Sequence, residues 1–283
     1  MHDSASRSRR ATQRRWGQNF LVNRGAAERI LAAFAPGPED RVLEIGPGSG
    51  ALTRGLAGRV ERVLAVEIDP ALAEPLGRIL APHVETGALS IVAADVLEID
   101  LDAVLRQLAG PRPGGVRVLA NLPYNISTAV ILRLLECRPH LKDIMVMVQR
   151  EVADRIVSPP GRKSYGALSV LCQTRARVDT ILRLGPGSFR PVPKVESAVI
   201  RLEMLPFTPG EDFASLSLLL RAAFRHRRKT LLNNLADLPL SPAAGGPAEL
   251  LRRAGIGPRT RAEEIPPQGF VDLVGLCGPI RSR

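Results

Sequence analysis

Cysteine, histidine and aromatic side chains are scarce in this chain. Its 283 residues include 3 cysteines, 4 histidines, 1 tryptophan and 2 tyrosines. Cys137, Cys172 and Cys277 are odd in number and far apart, without metal-ligand spacing. That argues against a disulfide framework or a thiolate metal site and fits a reduced, cytoplasmic setting. No histidine pairs with a plausible nucleophile in the sequence, so histidine-dependent hydrolysis is set aside. No apolar run approaches the roughly 18 residues of a membrane span. The arginine pairs Arg9-Arg10 and Arg14-Arg15 lead into Trp16-Gly17-Gln18-Asn19 rather than into the apolar stretch of a secretory signal. Neither a metal nor a membrane is expected.

What is abundant is apolar surface and positive charge. Hydrophobic residues make up 45% of the chain, enough for a sizeable core, and the formal net charge is +11. A basic excess suits a polyanionic partner, but it also fits solvated arginine faces, so charge alone leaves the partner open. Residues 1–15 are crowded with arginine and nearly lack apolar side chains, which predicts a disordered basic tail. A helix is expected over 25–35, ended by Pro36-Gly37-Pro38. Strands at 42–45, 63–66, 89–93, 116–120 and 144–148 then alternate with helices at 51–57, 70–80 and 127–136. This alternation predicts a doubly wound α/β sheet. Residues 178–184 and 198–202 read as strands forming an antiparallel edge. The rest is helical sequence broken by Pro239, Pro242, Gly245-Gly246-Pro247 and Gly257-Pro258. Two domains follow: an α/β domain over 16–205 and a small helical domain over 206–283.

The first strand runs into Glu44-Ile45-Gly46-Pro47-Gly48-Ser49-Gly50, a glycine-rich turn that lets backbone approach a ligand. Glu67, in Val66-Glu67-Ile68-Asp69, follows Gly46 by 21 residues. That is close to the ~20 expected of an acid that holds ribose hydroxyls. Gly46, Gly48 and Ala51 fit a dinucleotide loop equally well. The third strand supplies Ala94-Asp95-Val96, where Asp95 is placed either to accept from an adenine amine or to cap a helix.

Asn121-Leu122-Pro123-Tyr124 after the fourth strand is more specific. The exocyclic amine of adenine is a poor nucleophile because its lone pair is delocalised into the ring. The Asn121 side-chain oxygen and a backbone carbonyl near Leu122-Pro123 would accept from its two N–H groups. Pro123 fixes the turn, and Tyr124 offers a flat face for an extruded base.

On these motifs the chain resembles the ribosomal RNA adenine dimethyltransferases. The likeness extends to Gly17-Gln18-Asn19-Phe20-Leu21, Asn125-Ile126-Ser127-Thr128, Phe189-Arg190-Pro191-Val192-Pro193-Lys194-Val195-Glu196-Ser197, and Arg227-Arg228-Lys229-Thr230-Leu231 with Asn233-Asn234. Trp16 and Asn23-Arg24 depart from the family pattern without touching a proposed catalytic role. The resemblance implies a Rossmann-like methyltransferase sheet and S-adenosylmethionine as cofactor. It implies that Asn19, Leu21 and Gly46 lie at the methionine end, that Glu67 holds the ribose and Asp95 the adenine amine, with Gly48, Ile68 and Val96 beside them. Asn121 would face the target base, and Phe189 would close over it opposite Tyr124. Arg190, Lys194, Arg225, Arg227, Arg228 and Lys229 are candidates for RNA phosphates. The implied substrate is two adjacent adenosines in the 3′-terminal stem-loop of small-subunit rRNA. The implied partner is the small ribosomal subunit, met by a monomer. A large-subunit, macrolide-resistance type of enzyme and a non-catalytic assembly factor are the alternatives. A NAD-dependent oxidoreductase would leave Asn121 to Tyr124 unexplained.

Overall fold

The computed structural model describes residues 17–111, 115–206, 211–240 and 244–280. The basic tail expected over 1–15, and Trp16, lie outside the described residues. Two compact units divide the chain, one from residues 1–153 and 179–204, the other from 154–178 and 205–283. The expected boundary differs in one respect. Residues 154–178 group with the C-terminal part, because the helix Ala167–Gln173 packs against Phe213–Ala223 and Pro267–Cys277.

The first unit is built on a seven-stranded sheet. In chain order its elements are β1 (Phe20–Leu21), α1 (Arg24–Phe34), β2 (Arg41–Ile45), α2 (Thr53–Leu56), β3 (Arg62–Glu67), α3 (Pro70–Ile79), α4 (Ala81–Glu85), β4 (Leu89–Ala93), α5 (Leu101–Ala109), β5 (Val116–Asn121), α6 (Ser127–Glu136) and β6 (Leu141–Gln149). Then come α7 (Arg150–Ile156), at the boundary between the units, α8 (Ala167–Gln173), which belongs to the second unit, and β7 (Ala176–Leu184), β8 (Phe189–Arg190) and β9 (Ser197–Met204). The sheet order is β4-β3-β2-β5-β6-β9-β7. The neighbours from β4 to β6 are parallel, and β9 joins β6 antiparallel, which is the expected edge. β2, β5 and β6 are almost continuously buried, as strands covered on both faces should be. Helix starts carry their own signals: Asn23, Asp69 and Asp100 each accept from a backbone N–H of the first turn.

The order reverses at β2, whose neighbours are β3 on one side and β5 on the other. Such a switch point leaves a crevice beyond the C-terminal strand ends. The N-terminal ends are closed instead. Arg117, at the start of β5, donates Nε and Nη2 to Asp143 of β6 at 2.8 Å each and Nη1 to Asp40 at 2.7 Å. Nη2 also reaches the Phe34 carbonyl at 2.7 Å, and the guanidinium lies 4.1 Å from the Phe34 ring centroid. One buried cation thus joins β5, β6 and the end of α1.

In the second unit the remaining helices are α9 (Phe213–Ala223), α10 (Leu231–Asn234), α11 (Pro247–Arg253) and α12 (Pro267–Cys277). Tyr165 is buried among them, its hydroxyl donating to the Ile265 carbonyl at 2.8 Å and its ring edge-on to Phe224. The basic cluster at 225–229 is not helical, contrary to expectation. α9 stops at Ala223, and Asn234 Nδ2 donates to the carbonyls of Ala223 and His226 at 2.7 and 3.1 Å, satisfying groups a longer helix would have used.

Removing one partner of a buried ion pair strands the other charge. Arg117→Ala is therefore expected to lower stability by about 3–5 kcal/mol. Denaturant unfolding measures this; a loss below about 1 kcal/mol would mean that water solvates Asp143 and Asp40 adequately.

Candidate functional site

Four strand ends meet at the crevice. Gly46 and Gly48 follow β2, Glu67 ends β3, Asp95 follows β4 and Asn121 ends β5. Both glycines have positive φ, 71° and 55°. A Cβ on Gly46 would stand 3.1 Å from the Asn121 carbonyl oxygen, and one on Gly48 2.9 Å from the Phe20 ring. Any side chain here would push the loop off the turn and off the strap formed by residues 17–23.

Glu67 is 1% exposed, and both of its carboxylate oxygens accept hydrogen bonds. Its Oε2 accepts from the Gly48 N–H at 2.9 Å. Its Oε1 accepts from Gln18 Nε2 at 3.0 Å and from the Asp69 N–H at 3.1 Å. Burial raises its pKa while these three donors oppose the shift. A carboxylate has about four acceptor sites, so one remains for a ligand hydroxyl. Asp95 holds a turn, not a helix start, and stands at the crevice. Oδ1 accepts from the Leu97 N–H at 2.8 Å, capping the turn, and the side chain also lines the crevice. Asn121 donates Nδ2 to the Asn19 carbonyl at 3.2 Å, which gives the amide nitrogen to the strap and keeps the amide oxygen as the acceptor end.

The crevice is lined by Gln18, Asn19, Phe20, Ile45, Gly46, Gly48, Val66, Glu67, Ile68, Ala94, Asp95, Val96, Asn121, Pro123 and Ile126. Of the expected ligand residues, Asn19, Gly46, Gly48, Glu67, Ile68, Asp95, Val96, Asn121 and Pro123 are brought together there. Leu21 is not. Neighbouring residues of β1 face opposite sides, so Phe20 turns to the crevice and Leu21 to the core. Leu122 is buried, and Tyr124 is half-buried just beyond the lining. Phe189 is 1% exposed and belongs to the hydrophobic core. It pairs with Leu21 across the antiparallel β1–β8 ribbon instead of standing over the crevice. Arg190, opposite Phe20 in the same ribbon, is exposed, as is Lys194. In the second unit Arg225, Arg227, Arg228 and Lys229 are all exposed, and Arg227 pairs with Glu263 at 3.2 Å.

Two residues of the site had no assigned role. Gln18 closes the strap onto Glu67, and its only sequence signal is its place in the Gly17 to Leu21 motif. Glu44, behind the glycine loop, is buried, with Oε2 lacking a partner. Burial, reinforced by the charge of Glu67, pushes its carboxyl up to about 8. Among the described residues no group of three or more His, Cys, Asp or Glu side chains is placed to hold a metal ion, and no helix is long and apolar enough to cross a membrane.

A parallel sheet with a glycine loop, two acids at successive strand ends and an Asn-Leu-Pro-Tyr turn at the next defines a Rossmann-like methyltransferase. The model of one such family, ribosomal RNA adenine dimethylase, matches residues 9–276. The chain belongs to that family. It is 39% identical to the ribosomal RNA small subunit methyltransferase A of Pseudomonas fluorescens over 92% of each chain. Against the protein of the same name from Methylobacillus flagellatus it is 40% identical, covering 92% of this chain and 96% of that one. The fold matches a dimethyladenosine transferase from Plasmodium falciparum with a TM-score of 0.76 at 23% identity, covering 90% of this chain and 96% of that one. It also matches the 23S rRNA methyltransferase ErmE with a TM-score of 0.66 at 26% identity, covering 92% and 99%.

The raised pKa of Glu44 makes stability depend on pH. The fold favours the neutral acid, so this contribution is full below pH 4.5 and is lost as pH rises toward about 8. Glu44→Gln keeps a neutral side chain throughout. The variant is expected to gain several kcal/mol on the parent across that window, read from unfolding at each pH. Parallel stability curves would show that Glu44 is solvated.

Proposed function

We propose that the chain transfers methyl groups from S-adenosylmethionine to N6 of two adjacent adenosines in the 3′-terminal stem-loop of small-subunit rRNA, acting on the small ribosomal subunit in the cytoplasm. The observation that carries this reading is the seating of Asn121 beside Gly46, Glu67 and Asp95 in one crevice. The names and 39–40% identity of the small-subunit relatives support the choice of rRNA. The large-subunit alternative rests on a match at 26%.

The donor set fits the cofactor. Glu67 takes the ribose diol and Asp95 the adenine amine, with Ile68 and Val96 as apolar walls. Gly46 and the Asn19 backbone approach the methionine end, and Phe20 takes the covering place first given to Leu21. When bound, S-adenosylmethionine supplies an already activated sulfonium methyl, so the protein's work is alignment. Correct orientation alone is worth up to ~7–11 kcal/mol in well-aligned systems. The Asn121 oxygen accepts one N–H of the target amine. The Pro123 carbonyl already accepts from the Ile126 N–H at 3.2 Å, which favours the Leu122 carbonyl as the second acceptor. Both acceptors localise the amine lone pair and stabilise the positive charge that grows on N6. No side chain of the turn is a general base, so the surplus proton leaves to water.

Tyr124 stacks on the extruded base, contributing ~1–3 kcal/mol. Phe189, held in the core, supports the strap in this conformation and stacks only if the ribbon shifts. The exposed Arg190 and Lys194, like Arg225, Arg228 and Lys229, hold phosphates. Arg227 is the weakest of the group because Glu263 already neutralises it.

Asn121→Ala should abolish methyl transfer to immature small subunits while calorimetry finds cofactor affinity nearly unchanged. A normal transfer rate would remove Asn121 from the mechanism. For the phosphate contacts, Arg228→Ala should reduce the log–log salt slope of RNA binding by ~0.9 on duplex and ~0.7 on single strands. An unchanged slope would place Arg228 on a solvated face.

A further inference from the structure

Tyr124 is held at both ends by buried serines. Ser127 Oγ donates to the Tyr124 carbonyl at 3.1 Å, and the phenol and Ser197 Oγ share a hydrogen bond of 2.7 Å. Both serines are fully buried. They come from different parts of the chain: Ser127 opens α6, while Ser197 opens β9 and is paired in register with Gln149 of β6. We propose that Ser197 is a positioning residue for base methylation, fixing the Tyr124 ring in the attitude on which the target base stacks. This rests on the reading of Asn121 to Tyr124 as the base-binding turn.

Three features of the site favour this role. A half-buried tyrosine keeps freedom to swing about its first side-chain torsion and to rotate about its ring axis. A bond at the far oxygen stops the swing. Because a phenolic O–H prefers the ring plane, the same bond also disfavours rotation of the ring. The oxygen that would be costly to leave unpaired in this setting is therefore used to set an orientation. Burial raises the phenol pKa and the Ser197 bond opposes that shift, so the hydroxyl stays protonated at neutral pH. Second, the serine sits on a sheet strand, not a loop, so the orientation is inherited from the most rigid part of the unit. Third, the hydroxyl is turned to Ser197, so the tyrosine's contribution to base binding is its flat face. Every base has such a face, so Tyr124 contributes stacking without discrimination, and recognition of adenine falls to the acceptors at Asn121 and Leu122.

The test is a double-mutant cycle with the full chain, S-adenosylmethionine and immature small subunits as substrate. If the phenol serves only as the tether to Ser197, Ser197→Ala and Tyr124→Phe break the same bond. Each should lower kcat roughly 2- to 10-fold, the factor one hydrogen bond carries. Cofactor Kd and cofactor KM should not move, and the double variant should be no slower than either single. A serine with a purely structural role would lower Tm without changing kcat below the transition. If Ser197→Ala fails to fold, Tyr124→Phe carries the test from the other end of the bond. Parental kcat in either single variant, or a double variant slowed by the product of the two factors, would overturn the positioning role. A parent protein that places no methyl groups on adenosine would overturn the underlying reading as well, and that outcome is distinguishable from the others.

Discussion

The carboxylate of Glu67 gathers three donors that come from three places in the chain: the glycine loop, the turn after its own strand, and the N-terminal strap. The rest of the site hangs on this arrangement. A buried carboxylate is costly unless each oxygen is satisfied, so the backbone of Gly48 and the side chain of Gln18 are drawn to it. That fixes the loop at the height where Gly46 meets the Asn121 carbonyl. It also lays the strap so that the Asn19 carbonyl can accept from Asn121. The glycine loop, the strap and the Asn121 amide are therefore tied to one charge, although Glu67 and Asn121 belong to strands separated by β2.

The two ends of the sheet divide the labour. At the N-terminal strand ends the polar groups are mutually satisfied: Arg117 uses its donors on Asp143, Asp40 and two backbone carbonyls. At the C-terminal ends the satisfaction is partial. Glu67, Asp95 and Asn121 each spend part of their bonding capacity on holding their own turn or strap, and all three line the crevice. That contrast lets a rigid, well-paired frame carry groups whose unspent capacity is available for binding.

Strands and their alternation with helices were legible because their signals are local. The buried parallel strands read as apolar runs and the helices as capped segments after them. α5 carries a local signal as well, with Leu101, Leu105 and Leu108 recurring at helical spacing and buried. The β1–β8 ribbon was not legible, since two-residue strands have no periodicity and their pairing joins residues far apart. Its consequence, that Phe20 and not Leu21 faces the crevice, needed the ribbon to be seen. The same pairing explains why Phe189 is in the core. Asn121, Glu67 and Asp95 were legible from motif spacing. Gln18 and Ser197 were not, because their importance lies in which distant side chain they touch.

An enzyme with this crevice directs a methyl group to N6 of adenosine in small-subunit rRNA. The most direct measurement supplies labelled S-adenosylmethionine and immature small subunits, digests the rRNA, identifies the labelled nucleoside and maps its position. The account predicts N6,N6-dimethyladenosine at two adjacent positions in the 3′-terminal stem-loop. Label on another nucleoside, at another site, or in large-subunit rRNA instead would contradict it.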